Sequence, residues 1–223
     1  MHHNIFIVGA GGIGIQFAPA LASLLDVNDK IIICDGDTIE GNNLNRQYVY
    51  KRQHLGKNKA VVLSSILSVF KCLVVHHADW FNKVEIANAM YATIIACCVD
   101  NNEARMLCLE ASDTYRIPCI IGANETTDAE ALIYYPDWKD TDRDPRVYYP
   151  IYLNNVGRVT AESCQTMRDS NPQLSSANQM ASAFMLWLYN AHFVWGIEKE
   201  LDTLPYGFVA SRGNVFRKTK VTI

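Results

Sequence analysis

Glycines near the start of the chain follow a spacing that can hold a nucleotide. Gly9, Gly11, Gly12 and Gly14 form a turn directly after a short apolar run. Glycines at such positions allow a tight turn, let phosphate approach the backbone, and let a helix pack closely on a strand. The helix that follows offers unpaired N–H groups and the positive end of its dipole to an anion. The turn predicts nucleotide binding without distinguishing one nucleotide from another.

Two acidic residues, Asp35 and Asp37, follow the second apolar run. Asp35 ends a predicted strand, where a carboxylate can accept hydrogen bonds from ribose hydroxyls. This position suits NAD and ATP equally. Asp37 can lie in the same crevice, or it can simply form the turn that Asp favours. Asp35 is therefore the stronger candidate for a ribose contact.

Three further residues, Arg46, Lys59 and Asp100, favour a triphosphate over a dinucleotide. Arg46 can present a planar fork of donors to phosphate oxygens, and Lys59, for which Lys57 is an alternative, can add a point charge. Two such cations would stabilise a departing pyrophosphate. Asp100 ends a predicted strand at the edge where open α/β sheets bind ligands, so it can hold Mg²⁺ or cap the next helix.

The first half of the chain alternates between predicted strands and predicted helices. Short apolar runs that stop at Gly or Asp indicate buried strands, and apolar residues at helical spacing indicate helices. The predicted strands span residues 4–8, 30–34, 73–75, 93–99 and 118–121. The predicted helices span residues 13–25, 56–70, 81–90 and 101–115. This order predicts a Rossmann-like α/β fold, with a mostly parallel sheet and helices on both faces.

The pattern changes beyond residue 122. Residues 131–135 indicate a strand outside the alternation, and residues 135–171 a long loop rich in proline and charge. A helix and an antiparallel hairpin are predicted at 172–195 and 208–223. The predicted organisation is a nucleotide-binding core, a crossover loop, and a helix with hairpin that completes the same domain, at residues 1–135, 136–171 and 172–223.

The composition excludes several classes of protein. Apolar residues make up 49% of the 223 residues and charged residues 19%, which is typical of a folded chain. The net charge of -3 argues against nonspecific nucleic-acid binding. Seven cysteines without a C-x-x-C pair indicate neither a disulfide framework nor a four-thiolate zinc site. No charged leader and no membrane-spanning apolar stretch is present, so we expect a cytoplasmic protein with no membrane partner.

The motifs together resemble the adenylation domain of the ubiquitin-activating-enzyme superfamily, of the ThiF/MoeB type. They occur in order between residue 4 and about residue 125, and their joint pattern is highly specific. The strings that carry the resemblance are Gly9-Ala-Gly-Gly-Ile-Gly14, Asp35-Gly-Asp-Thr-Ile-Glu, Asn43-Leu-Asn-Arg-Gln47, Gly56-Lys-Asn-Lys59 and Cys98-Val-Asp100-Asn101.

The resemblance implies an adenylyltransferase that uses ATP and Mg²⁺. By that resemblance Asp35 would bind ribose and Asp100 would bind Mg²⁺. The residues expected to contact the triphosphate are Asn43, Arg46, Gln47 and Lys59. The implied reaction is attack on the α-phosphate by the C-terminal carboxylate of a ubiquitin-like or sulfur-carrier protein, giving an acyl adenylate and pyrophosphate. Because a carboxylate is already nucleophilic at neutral pH, positioning and charge stabilisation could supply most of the rate.

The sequence departs from this family in two respects. Many relatives hold structural zinc with two C-x-x-C pairs, and none occurs here, so zinc is not expected. Dimeric relatives can bring an arginine from an N-terminal helix into the neighbouring site, whereas the first predicted strand begins here at about residue 4. We therefore expect either a compact version of the enzyme or dependence on a homodimer or partner subunit.

One cysteine is a candidate nucleophile for a later step. Some members pass the activated carboxyl to a cysteine in the crossover region, and Cys164 lies in polar, loop-like sequence there. A structural or incidental thiol is the alternative for Cys164. The other strand cysteines are expected to be inert core residues, namely Cys34, Cys97, Cys98 and Cys119.

Two other functional classes compete with adenylation. An NAD-dependent oxidoreductase would use the same glycine turn but leaves Arg46, Lys59 and Asp100 unexplained. A noncatalytic nucleotide-binding subunit of an activating complex would be expected to have lost these residues. The sequence does not name the carboxylate, and relatives that adenylate a peptide or a small carboxylate are also compatible with it.

Overall fold

The described strands form one mixed β-sheet. The computed structural model describes residues 2–124, 128–149, 175–195, 207–211 and 214–218. The eight strands in this part of the chain are β1 (Asn4–Val8), β2 (Lys30–Cys34), β3 (Leu73–His77), β4 (Ile94–Cys97), β5 (Cys119–Asn124), β6 (Ala129–Tyr134), β7 (Gly207–Ser211) and β8 (Asn214–Lys218). Their order across the sheet is β3-β2-β1-β4-β5-β6-β7-β8.

The first five strands are parallel to one another, and β6, β7 and β8 continue the sheet with antiparallel pairings. The apolar cores of β1, β2 and β4 are buried, as expected for parallel strands covered on both faces. This arrangement confirms the predicted α/β fold, the strand outside the alternation and the terminal antiparallel hairpin. The carboxyl ends of β1, β2 and β4 meet at one edge.

The helices lie on both faces of the sheet. In the described residues they are α1 (Gly14–Ala22), α2 (Lys59–Leu67), α3 (Glu85–Ala89), α4 (Asn102–Tyr115), α5 (Pro145–Tyr148) and α6 (Ser175–Tyr189), the last followed by a π-helical turn (Asn190–Val194). Helix α1 contacts α2 and α6, whereas α3 contacts α4. None of the described helices is long and apolar enough to cross a membrane.

Helix α6 packs across β5, β6 and α1. Met185 of this helix is fully buried and occupies the space that a side chain at Gly122 would need. Phe184 stacks on Phe208 of β7, with ring centroids 5.2 Å apart. The apolar face predicted for this segment is therefore used for core packing, which joins α6 and β7 to the rest of the sheet.

Several predicted element boundaries were wrong, and the start of α2 was wrong for a local reason. Helix α2 begins at Lys59 and not at residue 56, because Gly56 has a positive φ of 77° and Asn58 caps the helix by accepting from the Val61 amide. Helix α3 has only 5 residues, and β4 ends at Cys97, before the predicted boundary.

The predicted long loop was also wrong in its first part. Within 135–149 a 3₁₀ turn (Pro136–Trp138) and the short helix α5 are ordered by an ion-pair network. Arg146 donates to Asp144 at 2.8 Å and to Asp113 of α4 at 2.8 Å, and the Tyr134 hydroxyl also hydrogen-bonds Asp113. Burial would raise the pKa of Asp113, but the bonds from Arg146 and Tyr134 outweigh it and hold the pKa below its usual range.

This network predicts a large stability difference between two arginine variants. Arg146→Ala should lower the free energy of unfolding by about 3 kcal/mol, because it leaves the buried carboxylate of Asp144 without its cation. Arg116→Ala is the matched control, since its ion pair with Asp137 is exposed and should contribute only about 0–1 kcal/mol. Urea unfolding of both variants measures the difference, and equal losses would contradict a role for the network in stability.

Candidate nucleotide-binding site

A glycine turn lies at the carboxyl end of β1, where β2 and β4 also end. Gly9 adopts a positive φ of 98°, and a Cβ there would stand 2.8 Å from the carbonyl oxygen of Cys98. At Gly14 a Cβ would collide with the carbonyl oxygen of Gly9. The chain can therefore turn this tightly between strand and helix only with glycine at both positions.

Three successive backbone amides at this turn are unpaired. Among the described residues, the N–H groups of Gly11, Gly12 and Ile13 have no hydrogen-bond acceptor. They directly precede α1, whose positive dipole end faces the same way. Around Gly11 no other atom of the described residues, apart from its chain neighbours, comes within 4 Å of the point where a Cβ would stand. Unpaired amides, a helix dipole and open space together make this turn a candidate anion-binding site.

The backbone of Ala10 is held at both its N–H and its carbonyl group. Its N–H donates to Oδ2 of Asp35 at 2.6 Å, and its carbonyl oxygen accepts from the Tyr50 hydroxyl at 2.7 Å. Oδ1 of Asp35 accepts from the Asp37 amide at 2.7 Å. Since Asp35 ends β2 and Tyr50 lies in the segment before α2, these bonds fix the turn relative to both elements.

Burial raises the pKa values of both partners of Ala10, Asp35 and Tyr50. Burial raises the pKa of Asp35, while the charge of Lys59 and the two backbone donors act in the opposite direction. Burial, together with the nearby charges of Asp35 and Asp37, raises the pKa of Tyr50, so its hydroxyl stays a donor. Each oxygen of Asp35 keeps a second lone pair, which leaves acceptor capacity for a ribose hydroxyl.

Lys59 lies beside these acidic residues at the start of α2. Its Nζ forms an ion pair with Oδ2 of Asp37 at 2.8 Å, and its backbone N–H donates to the Asp37 carbonyl at 2.9 Å. The side chain of Lys59 is 8% exposed and that of Asp37 50% exposed. Lys57, the alternative considered from the sequence, is exposed to solvent. Burial next to the turn makes Lys59 the stronger candidate for a phosphate contact.

The polar segment after β2 contains a 3₁₀ helix (Gly41–Asn45), and two of the predicted site residues are buried here, Asn43 within this helix and Gln47 just after it. Asn43 accepts from the Glu40 amide at 2.9 Å, and Gln47 is buried with no partner for Oε1 in the described part of the chain. Arg46, which lies between Asn43 and Gln47 in the sequence, is half-buried. Tyr48 then bonds Gln16 of α1 at 2.7 Å, which anchors the segment next to the glycine turn.

Asp100 follows β4 at the same edge of the sheet. It is exposed, and among the described residues it has no ion pair or hydrogen bond. The capping role considered for it belongs to Asn101, whose side chain accepts from the Ala104 amide at 2.8 Å. The carboxylate of Asp100 is an oxygen ligand of the kind that Mg²⁺ prefers. Because the described residues contain no cluster of three metal-ligating side chains, phosphates and waters would have to complete the coordination.

Three residues of this region were not identified from the sequence, namely Tyr50, Asn58 and Asn178. Tyr50 is followed by a run of charged and polar residues and lies outside any helical or strand pattern, so the local sequence does not indicate its burial. Asn58 caps α2 and donates to the Asp35 carbonyl at 2.8 Å, and an Asn immediately before a helical pattern was a usable signal. Asn178 contacts the turn from α6 across a distance in sequence that no local pattern reveals.

The strand cysteines lie in the core, as predicted. Cys34, Cys97, Cys98 and Cys119 are all buried. Burial raises the pKa of Cys34 to about 12 and raises those of Cys98 and Cys119 well above the usual value, which keeps these thiols protonated. The proposed nucleophile Cys164 lies outside the described residues.

The family model for the ThiF family matches residues 1–178. The chain belongs to the ThiF family. Its sequence is 32% identical over 169 residues to the NEDD8-activating enzyme E1 catalytic subunit of Caenorhabditis elegans, covering 66% of this chain and 39% of that protein. It is 29% identical over 137 residues to the adenylyltransferase and sulfurtransferase MOCS3-1 of Zea mays, covering 59% of this chain and 28% of that protein. This ThiF-family chain therefore spans well under half of these relatives.

Solved structures of E. coli MccB share the fold. The structure with ATP superposes with a TM-score of 0.69 at 19% identity, covering 97% of this chain and 63% of that one. The structure with AMPCPP and MccA gives a TM-score of 0.71, also at 19% identity, with the same coverage of both chains. The likeness extends over nearly the whole ThiF-family chain, including the helix and hairpin after the crossover segment.

The turn geometry predicts a large loss of stability for alanine at one of its glycines and almost none at another. Gly14→Ala should lower the free energy of unfolding by about 1–3 kcal/mol or more, because the new Cβ collides with the Gly9 carbonyl. Gly11→Ala should change it by about 0.5 kcal/mol or less, because the added methyl group meets open space. Chemical unfolding of the two variants tests this, and a destabilised Gly11→Ala would show that the turn is packed differently.

Proposed function

We propose that this ThiF-family protein is an ATP-dependent adenylyltransferase that activates the C-terminal carboxylate of a ubiquitin-like or sulfur-carrier protein. The observation that carries the proposal is the set of three unpaired amides at Gly11, Gly12 and Ile13, held next to Asp35 and Lys59 at one sheet edge. Relatives named as an adenylyltransferase and as activating-enzyme subunits, and a fold shared with an ATP-bound protein, support it.

The chain's own residues have distinct roles in this proposal. The amides of the turn bind phosphate oxygens, and Asp35 accepts from the ribose through its remaining lone pairs. Lys59 and Arg46 offset the negative charge of the triphosphate and stabilise pyrophosphate as it departs. Asp100 holds Mg²⁺, which supplies further charge neutralisation on the phosphates. Asn43 and Gln47, buried in the neighbouring segment, contribute polar contacts to the triphosphate.

The reaction needs no general base in this site. The incoming carboxylate is ionised at neutral pH and attacks the α-phosphorus, the bond to the bridging oxygen breaks, and pyrophosphate leaves. The products are an acyl adenylate and pyrophosphate, so the protein contributes orientation and positive charge. The glycine turn favours this role because Asp35 and Tyr50 already hold the backbone of Ala10 before the nucleotide arrives.

The later steps and partners are further parts of the proposal. Transfer of the activated carboxyl to Cys164 stays a prediction from the sequence. A homodimer or a partner subunit is proposed because relatives include subunits of the NEDD8- and SUMO-activating enzymes. The NAD alternative depended on the glycine turn alone, and membership of the ThiF family provides a different explanation for that turn.

Magnesium-dependent ATP–pyrophosphate exchange tests the proposed activity. With candidate carrier proteins present, the wild type should exchange label, and Arg46→Ala and Asp100→Ala should each reduce the rate by about 10²- to 10³-fold. Each substitution removes a charge that stabilises the phosphates or the metal. Tight binding of NAD, together with no exchange in the presence of any carrier, would overturn the proposal.

The two neighbouring lysines give a matched pair for the same assay. Lys59→Ala should reduce exchange by about 10²-fold or more, because the buried ammonium group is lost from the site. Lys57→Ala should leave the rate within about twofold, since this side chain is exposed and should contribute little. If Lys57→Ala causes the larger loss, the phosphate contact belongs to Lys57 and the assignment of Lys59 is wrong.

A further inference from the structure

Helix α6 places one polar side chain, that of Asn178, against the glycine turn. Asn178 is only 1% exposed, and its carboxamide atoms lie 2.6 to 2.8 Å from the point where a Cβ of Gly12 would stand. The side chain therefore packs directly against the backbone of Gly12, with nothing between them. Among the described residues, Nδ2 of Asn178 is buried and has no hydrogen-bond acceptor.

A buried donor without a partner destabilises the fold, and an apolar side chain of similar shape would avoid that cost. Leucine is branched at the same position as asparagine, so packing alone would be served as well by leucine. Farther along α6, the apolar side chain of Met185 packs at Gly122 in the way that Asn178 packs at Gly12. An unpaired amide at this point is therefore explained by a second state of the turn, in which the donor has an acceptor.

We infer that Asn178 is a positioning residue for the phosphate-binding turn, and that its Nδ2 group gains an acceptor when an anion orders Gly11 to Gly14. The inference rests on the proposed binding of ATP at this turn. Amides that face a phosphate leave the carbonyl groups of the same turn directed away from it, and Asn178 stands against the Gly12 backbone to donate to them. Phosphate binding is thereby linked to the packing of α6 against the glycine turn. Helix α6 follows the crossover segment in the chain.

The replacement Asn178→Leu separates this role from packing. The variant should unfold at the same temperature as the wild type or higher, because it removes an unpaired buried donor. Its affinity for MgATP should nevertheless fall about 10-fold, the effect expected for one lost hydrogen bond. Its affinity for adenosine, which has no phosphate, should stay within about twofold. Calorimetric titration with MgATP and with adenosine gives both affinities, and thermal unfolding gives the stability.

Two further variants complete the experiment. Asn178→Thr retains a hydroxyl donor and should recover part of the MgATP affinity lost in Asn178→Leu. Gln179→Leu is the control on the same helix, because Gln179 is exposed, and it should leave both affinities unchanged.

Each contrary outcome identifies which statement fails. A wild type that binds no MgATP would overturn the proposed function. A wild type that binds MgATP, with Asn178→Leu binding it equally well, would overturn the role of Asn178 and leave the proposed function intact. Equal losses of MgATP and adenosine affinity in Asn178→Leu would also overturn it, since they would reflect general damage and not the phosphate-binding turn.

Discussion

The site depends on how the backbone of one residue, Ala10, is held. Its N–H is bound by a buried carboxylate at the end of β2, and its carbonyl oxygen by the buried hydroxyl of Tyr50. Both partners come from outside the turn, so they restrict the glycines beside Ala10, which have the most freedom of any residue. The amides that follow, unpaired among the described residues, then lose less freedom when an anion orders them, which is the basis of preorganised binding.

The charge balance around Ala10 explains why the proposed nucleotide site needs several cations. Asp35 and Asp37 are both close to the turn, and Lys59 is already paired with Asp37. A triphosphate entering beside two carboxylates meets repulsion, and Lys59 has to divide its charge between Asp37 and the phosphates. Arg46 and a metal ion at Asp100 supply the additional positive charge in the proposed complex. The acidic pair, Asp35 and Asp37, fixes the backbone of the turn, and the cations offset the negative charge of this pair.

The sequence predicted those features that depend on short-range patterns. Buried parallel strands show as continuous apolar runs, so β1 and β2 were predicted with their observed bounds. The glycine turn and the acidic residue after β2 follow one another at a fixed spacing, so Gly9 and Asp35 were predicted at the same sheet edge. The start of α2 was misplaced because the capping role of Asn58 was overlooked.

Features that depend on contacts between distant segments were not predictable in this way. Tyr50 binds Ala10 across 40 positions, and Asn178 reaches Gly12 from the last described helix, so neither leaves a local pattern. The helical structure within 136–149 also depends on a contact between distant segments, because Arg146 pairs with Asp113 of α4. Composition and spacing identify which residues can do chemistry, whereas these long-range bonds determine which backbone groups are held ready for it.

Nuclear magnetic resonance of the backbone amides tests the central claim most directly. In a titration of the ¹⁵N-labelled protein with MgATP, the account predicts that the amide resonances of Gly11, Gly12 and Ile13 shift strongly, while adenosine leaves them nearly unchanged. Saturation with MgATP that shifts other residues and leaves these three amides in place would contradict it, because the nucleotide would then bind without the turn that Asp35 and Tyr50 hold.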